Sequence, residues 1–225
     1  MRSLNTKAFG GLFFLLLVMA ALLFLPAWTL DYWQAWAFLA IFGASALAIT
    51  VYLMKRDPKL LERRVYAGPT AEKETSQKII QFVTSIGFIA ILVVSALDYR
   101  FAWSVVPLYI VVAGDALVAT GFLFVFFVYK VNTFAAATIE IALDQKVIST
   151  GLYALVRHPM YMGAFFLLVG IPLSLRSYWG LLVIALMMPA LIWRLLAEEK
   201  FLAKNLPGYS EYQNNVRYRL VPGVW

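Results

Sequence analysis

The only histidine of the chain stands at the mouth of a hydrophobic run, in "GLYALVRHPMYMG", residues 151–163. Arginine and histidine are costly near hydrocarbon, so polar residues kept there point to function. Pro159 is tolerated in a first helical turn, where its missing N–H would have had no partner. The spacing therefore predicts a helix starting at about His158, whose free amides and positive dipole end form a seat for an anion. Arg157 adds full charge beside it, and Gly163 and Gly170 permit close approach of a neighbouring helix or a ligand. Taken singly, each residue has a structural explanation: Arg157 snorkels, Tyr161 anchors at the interface, His158 caps the helix. One hairpin later, "WRLLAEEKFL" places Glu198 and Glu199 at a helix C-terminus, where negative charge opposes the macrodipole and needs a partner. Arg194 lies four residues before Glu198, the spacing of an i,i+4 ion pair. Two helices joined as a hairpin bring the end of the second beside the start of the first. His158, Tyr161, Arg194 and Glu198 then converge on one cavity.

The elements that hold these residues are read from composition. Of the 225 residues, 63% are hydrophobic and 14% charged, against about 45–50% and about 25% in a soluble domain. Crossing a bilayer takes about 20 predominantly apolar residues as helix. The runs 9–28, 33–54, 79–97 and 103–129 are long enough. The runs 161–175 and 178–196 are shorter, joined by a turn at Arg176 and Ser177, and read as a tight helical hairpin. The expected fold is all-α: a polytopic helical membrane protein of about six spans counting that C-terminal hairpin. It forms a single transmembrane domain, with N-terminal spans in 1–128 and the chemistry in 129–225. The first run has a basic flank but no small-residue cleavage pattern, so it reads as a retained span.

Net charge is +7, and its distribution speaks of topology. With a cytoplasmic N-terminus and six crossings, all the lysines and arginines except Arg100 and Arg176 fall on the cytoplasmic side, Lys73 among them, which satisfies the positive-inside rule in every loop. Both termini are thus expected in the cytoplasm, in a bacterial inner membrane or an endoplasmic reticulum. The basic segments suit anionic lipid heads, and nothing calls for nucleic acid. Cysteine is absent, which excludes disulfides, thiolate metal sites and a cysteine nucleophile. With a single histidine as well, no protein-built transition-metal site is expected.

Polar sequence collects in three pieces. Residues 55–78 suggest a short interfacial helix over 60–65, ended by Gly68 and Pro69. Residues 129–159 form a connector long enough to be functional. The tail after Glu198 interleaves Tyr209, Tyr212, Tyr218 and Trp225 with Arg217 and Arg219. It reads either as an interfacial aromatic belt or as a flap folding over 129–159 to close a pocket under the hairpin. Asp115, inside the fourth run, reads as structurally paired to a hydroxyl or carbonyl, or as functional. Asn132 reads as a helix-end hydrogen bonder or a pocket wall.

As a set, Gly151, Tyr153, Arg157, His158, Pro159, Tyr161 and Gly163, then Glu198 and Glu199, then Tyr209, Tyr212 and Pro222, resemble the isoprenylcysteine carboxyl methyltransferases and the related membrane phospholipid N-methyltransferases. The resemblance covers about the last 100 residues. It implies S-adenosyl-L-methionine as cofactor, in a cytoplasmic pocket closed by the C-terminal tail. Carried over by position, the cofactor contacts are Gln145, Lys146, Val147, Ile148, Tyr153, His158, Pro159, Met160, Tyr161 and Glu198. Arg194 matches an arginine on the substrate side. Two departures separate this chain from the prenylcysteine enzymes: "QKVI" stands where a histidine opens that segment, and "LPGYSEY" where a Phe-Gly stretch is common.

The implied reaction is methyl transfer to a lipidic or lipid-attached acceptor. A carboxylate acceptor needs no base, because opposite charges vanish in the transition state and a dry pocket favours that. Arg194 would then orient it. An amine acceptor must first lose a proton, and Glu199 is the candidate base. The competing expectation is a transporter or assembly factor in which the motif is structural and Asp115 lies on the pathway. A nicotinamide-dependent sterol-type reductase needs more spans than this chain offers.

Overall fold

The computed structural model describes residues 2–65, 69–72, 74–142 and 144–225; Gly68 and Lys73 lie outside these. All regular structure among the described residues is helical. The order is α1 (Arg2–Ala27), α2 (Trp33–Arg56), α3 (Pro58–Val65), α4 (Thr75–Phe101), α5 (Leu108–Val131), α6 (Pro159–Ser174), α7 (Trp179–Asn205) and α8 (Tyr209–Asn215), with 3₁₀ turns at Pro69–Ala71 and Gly151–Ala154. Helices α1, α2, α4, α5 and α7 are each long and apolar enough to cross a membrane, with mean hydropathy of 2.1 to 2.7 in their most apolar windows. The protein is a polytopic helical membrane protein.

Helix α6 is the exception. Its 16 residues reach about 24 Å at 1.5 Å per residue, short of a hydrocarbon core of about 30 Å. Its partner α7 has 27 residues and runs to Asn205, well past the expected end at Leu196. The hairpin is thus lopsided: a short arm whose N-terminus starts inside the protein, and a long arm that carries Glu198 and Glu199 beyond it. Helix α5 begins at Leu108 rather than 103, because residues 103–107 carry no regular structure and end in Pro107, extended at the N-cap.

The short arm is held by close backbone approach to α5. A Cβ on Gly121 would lie 2.7 Å from the Gly163 carbonyl oxygen, and one on Gly170 would lie 2.8 Å from the Gly114 carbonyl oxygen. Such contacts are open only to residues without a side chain, the usual means of pressing two membrane helices together. At the far end of the bundle the α6–α7 turn is tied down by Asp98, which is buried at the end of α4. Its carboxylate accepts hydrogen bonds from the Ser104 amide (2.7 Å), the Ser104 hydroxyl (2.7 Å) and the Ser177 hydroxyl (2.6 Å). The Tyr32 hydroxyl donates to the Leu175 carbonyl in the same place. Asp98, and not Asp115, is therefore the acid that closes this end. Asp115 Oδ1 is buried and has no hydrogen-bond partner, so the expected pairing is not seen at that oxygen.

The apolar core lies among α1, α2, α4, α5, α6 and α7, with Met19, Leu23, Phe38, Ile91, Leu92 and Ile171 fully buried. A second cluster packs α3 against α2 and α5 through Leu53, Leu60, Leu61, Val128 and Tyr129. The third, Leu206, Tyr209, Tyr212 and Val216, seats the tail on Ile141, Val147, Tyr153 and Leu202. The last two clusters surround the loop between α5 and α6.

Candidate active site

Where α6 begins short and α7 runs on, the space between them is a cavity of about 330 Å³. That lies at the lower end of the range for small-molecule sites, about 300–1,000 Å³. Its walls come from five places: α3 (Arg64), α4 (Gln81, Thr84), the α5–α6 loop, the start of α6 (His158, Met160, Tyr161, Ala164), and α7 with the tail (Leu191, Arg194, Glu198, Leu202, Leu206, Tyr209, Tyr212). Gln145, Lys146, Val147, Ile148 and Tyr153 line it from the loop. Of the ten residues expected around a cofactor, Pro159 alone is not on the wall. It is buried in the first turn of α6, where it sets the helix start.

The loop is fixed by side chains from outside it. Arg63 and Arg64 of α3 donate to the Thr133 and Ala136 carbonyls at 3.0 and 3.1 Å. Asn132 donates to the Tyr153 hydroxyl at 2.8 Å and accepts from the Phe134 amide, so it is both hydrogen bonder and wall. Tyr212 donates to the Tyr153 carbonyl at 2.7 Å. Burial pushes the Tyr153 hydroxyl up to about 12 and also raises those of Tyr209 and Tyr212. All three stay protonated; Tyr153 accepts from Asn132, Tyr212 donates, and the Tyr209 hydroxyl is left without a partner. In the tail, Tyr209 and Tyr212 form part of the cavity, as the flap reading expects, while Tyr218 and Val224 are exposed.

The N-terminus of α6 is less open than its sequence suggests. The Arg157 and His158 amides donate to the Tyr218 and Arg219 carbonyls, each at 2.9 Å, so the tail takes up two amides that would otherwise face a ligand. His158 occupies the N-cap without a side-chain capping bond. Its Nε2 is buried with no hydrogen-bond partner, and so is the hydroxyl of Tyr209.

The two glutamates part company. The Glu198 carboxylate lines the cavity and accepts the Tyr161 hydroxyl at 2.5 Å. Glu199 points the other way, is 5% exposed and is not on the wall. Arg157 Nε lies 3.0 Å from one of its oxygens and Arg219 Nε 2.8 Å from the other, with His158 Nε2 at 3.7 Å. A carboxylate held between two guanidinium groups is a poor proton acceptor. The base expected at Glu199 is thus placed as a tie between the motif and the tail.

Arg194 also departs from the simplest expectation. It lines the cavity, but its ion pair is with Glu72 at 2.7 Å rather than with Glu198, and it donates further to Gln77 at 3.0 Å and the Ala137 carbonyl at 3.1 Å. Glu72, Gln77 and Gln81 were not singled out from the sequence. A signal existed for some of them: Gln77, Gln81 and Thr84 follow i, i+4, i+7, a polar stripe on an otherwise apolar helix. Among the described residues there is no cluster of acidic and histidine side chains able to hold a metal ion.

The fold and this cavity define a class: an integral membrane protein that encloses a small, mixed polar and apolar site at one end of its helices. Residues 109–207 match the phospholipid methyltransferase (PEMT) family, so this stretch of the chain is similar to those membrane methyltransferases. The matched stretch runs from α5 through α7. It contains His158, Arg194 and Glu198 but neither Glu72 nor the tail beyond residue 207. No curated protein matches the chain.

Proposed function

We propose that the cavity binds S-adenosyl-L-methionine and that the protein transfers its methyl group to the amine of a membrane lipid at the cytoplasmic interface. The observation that carries this reading is the buried, unpartnered hydroxyl of Tyr209 on the cavity wall, just beyond the family's segment, across a cavity that Glu198, Arg64 and Lys146 also line. Buried polar groups are nearly always hydrogen-bonded, so such an orphan asks for a ligand. The donor set fits the cofactor. Glu198 offers negative charge to a cationic donor, Arg64 and Lys146 offer positive charge to its carboxylate, and Met160 and Leu202 offer apolar surface. When bound, the cofactor supplies an electrophilic methyl whose bond to sulfur breaks as the bond to the acceptor forms.

The chain's own residues bear on the acceptor. The Arg194 charge is already answered by Glu72, and Glu198 adds a carboxylate nearby, a balance that suits an amine better than another anion. An ammonium acceptor releases its proton to Glu198, the member of the Glu198–Glu199 pair that faces the cavity. The apolar wall of Ala164, Leu191 and Leu202 keeps water out and suits acyl chains.

Purified protein should bind S-adenosylhomocysteine, and His158→Ala and Tyr209→Phe should each weaken binding by about tenfold, the size of a lost hydrogen bond to a charged or buried group. Membranes given labelled methyl donor should yield a lipid product that keeps its label in alkali, as methylated amines do and methyl esters do not. Failure of the wild-type protein to bind the homocysteine product would sink the reading.

A further inference from the structure

The matched family segment begins at residue 109, yet the arginine on the cavity wall is held from outside it. Glu72 belongs to the connector before α4, and its side chain is 1% exposed. One oxygen accepts from Arg194 Nη2 (2.7 Å) and from Gln81 Nε2 (2.8 Å); the other accepts from the Ile139 amide at 3.3 Å. A single carboxylate therefore joins α7, α4 and the α5–α6 loop. Gln81 also donates to the Ala137 carbonyl at 3.2 Å, the same carbonyl that Arg194 reaches. Three N–H groups of Arg194 are spent on Glu72, Gln77 and Ala137, which fixes the guanidinium plane. On the same wall the Tyr161 hydroxyl donates to Glu198.

A guanidinium on a long side chain carries large rotamer entropy, and on a cavity wall it would swing unless locked. Burying a carboxylate is costly unless every lone pair is used. Here it is used on the walls of the cavity. Neither Glu72 nor Gln77 touches the cavity itself. The arrangement is that of a second row behind the wall.

We propose that Glu72 is a positioning residue for methyl transfer, setting the Arg194 guanidinium and the 137–139 wall for the acceptor. The proposal rests on the methyltransferase reading above. The first half of the chain, outside the family's segment, thereby completes the acceptor side of the site.

The test separates acceptor from cofactor. In Glu72→Ala, kcat/KM for the lipid acceptor should fall by about 30-fold or more while S-adenosylhomocysteine affinity stays within about threefold. Glu72→Gln, which keeps the shape and one accepting oxygen, should recover part of the loss. Adding Glu72→Ala to Arg194→Ala should cost little more than Arg194→Ala alone, since both changes remove one interaction. A Glu72→Ala enzyme with acceptor kcat/KM near wild type, equal losses in acceptor turnover and cofactor affinity, or additive costs in the double variant would each overturn the role. Should Glu72→Ala fail to fold, Glu72→Gln decides on the same two readouts: an acceptor-selective loss supports the role, and wild-type behaviour or a loss shared with cofactor affinity overturns it. A wild-type protein that neither binds S-adenosylhomocysteine nor methylates lipid overturns the underlying function instead.

Discussion

Glu198 and Glu199 are adjacent in the chain and face opposite surroundings, which makes them a test of the site at the scale of single residues. Glu199 sits between Arg157 and Arg219, so its removal leaves two guanidinium groups without their partner. Breaking such a buried arrangement costs about 3 kcal/mol. In a chain of this size that corresponds to a thermal midpoint about 6–12 °C lower. Glu199→Gln should show this loss in thermal unfolding and, at temperatures where it is folded, still bind S-adenosylhomocysteine. Glu198→Gln should do the reverse, holding its midpoint within a few degrees while ligand binding and turnover fall. A shared phenotype would show that the pair acts as one unit. Sequence placed both acids at the right helix end, because hydropathy marks where α7 leaves the apolar region. It could not say which one faces inward, since neighbours on a helix differ by 100° and the partner of Glu199 lies 20 residues on, in the tail.

At the scale of elements, the cavity exists because α6 is shorter than α7 and is pressed against α5. Gly121 and Gly163 meet through backbone atoms with no room for a side chain. Gly121→Val should push the two helices apart, at about 1–3 kcal/mol for overpacking, and shift Asn132 away from Tyr153. The expected result is a lower thermal midpoint together with loss of ligand affinity. Preserved affinity would mean that the cavity does not depend on this contact. The glycines of α6 were readable as sites of close approach. Their counterparts on α5, Gly114 and Gly121, became visible only once the helices were paired. Connector residues were the least legible, because Glu72 finds its partner 122 positions away, beyond the reach of any local pattern.

For the whole molecule, five of the crossings followed from apolar run length, and several residues of the cavity wall came from a motif whose members lie close together in sequence. In residues 55–78 the short helix was legible, as α3 (Pro58–Val65), but the role of Glu72 was not, since a polar connector and a structural support share the same composition. Orientation is open to direct measurement, because the chain has no cysteine of its own. Asp31→Cys and Asn214→Cys place single thiols at exposed positions on opposite ends of the helices. With the basic end in the cytoplasm, an impermeant maleimide should label position 31 on intact cells and position 214 only after the membrane is opened. The opposite pattern would invert the assignment.

The amides of Arg157 and His158 are completed by carbonyls of Tyr218 and Arg219, which has a bearing on biosynthesis. Ribosomes deliver the start of α6 some sixty residues before the segment that finishes it, so every span can already be threaded into the lipid while the proposed cofactor chamber is still unassembled. Each newly made copy should therefore switch on only after translation has nearly ended, and a nascent chain arrested before position 218 should be inserted yet inert.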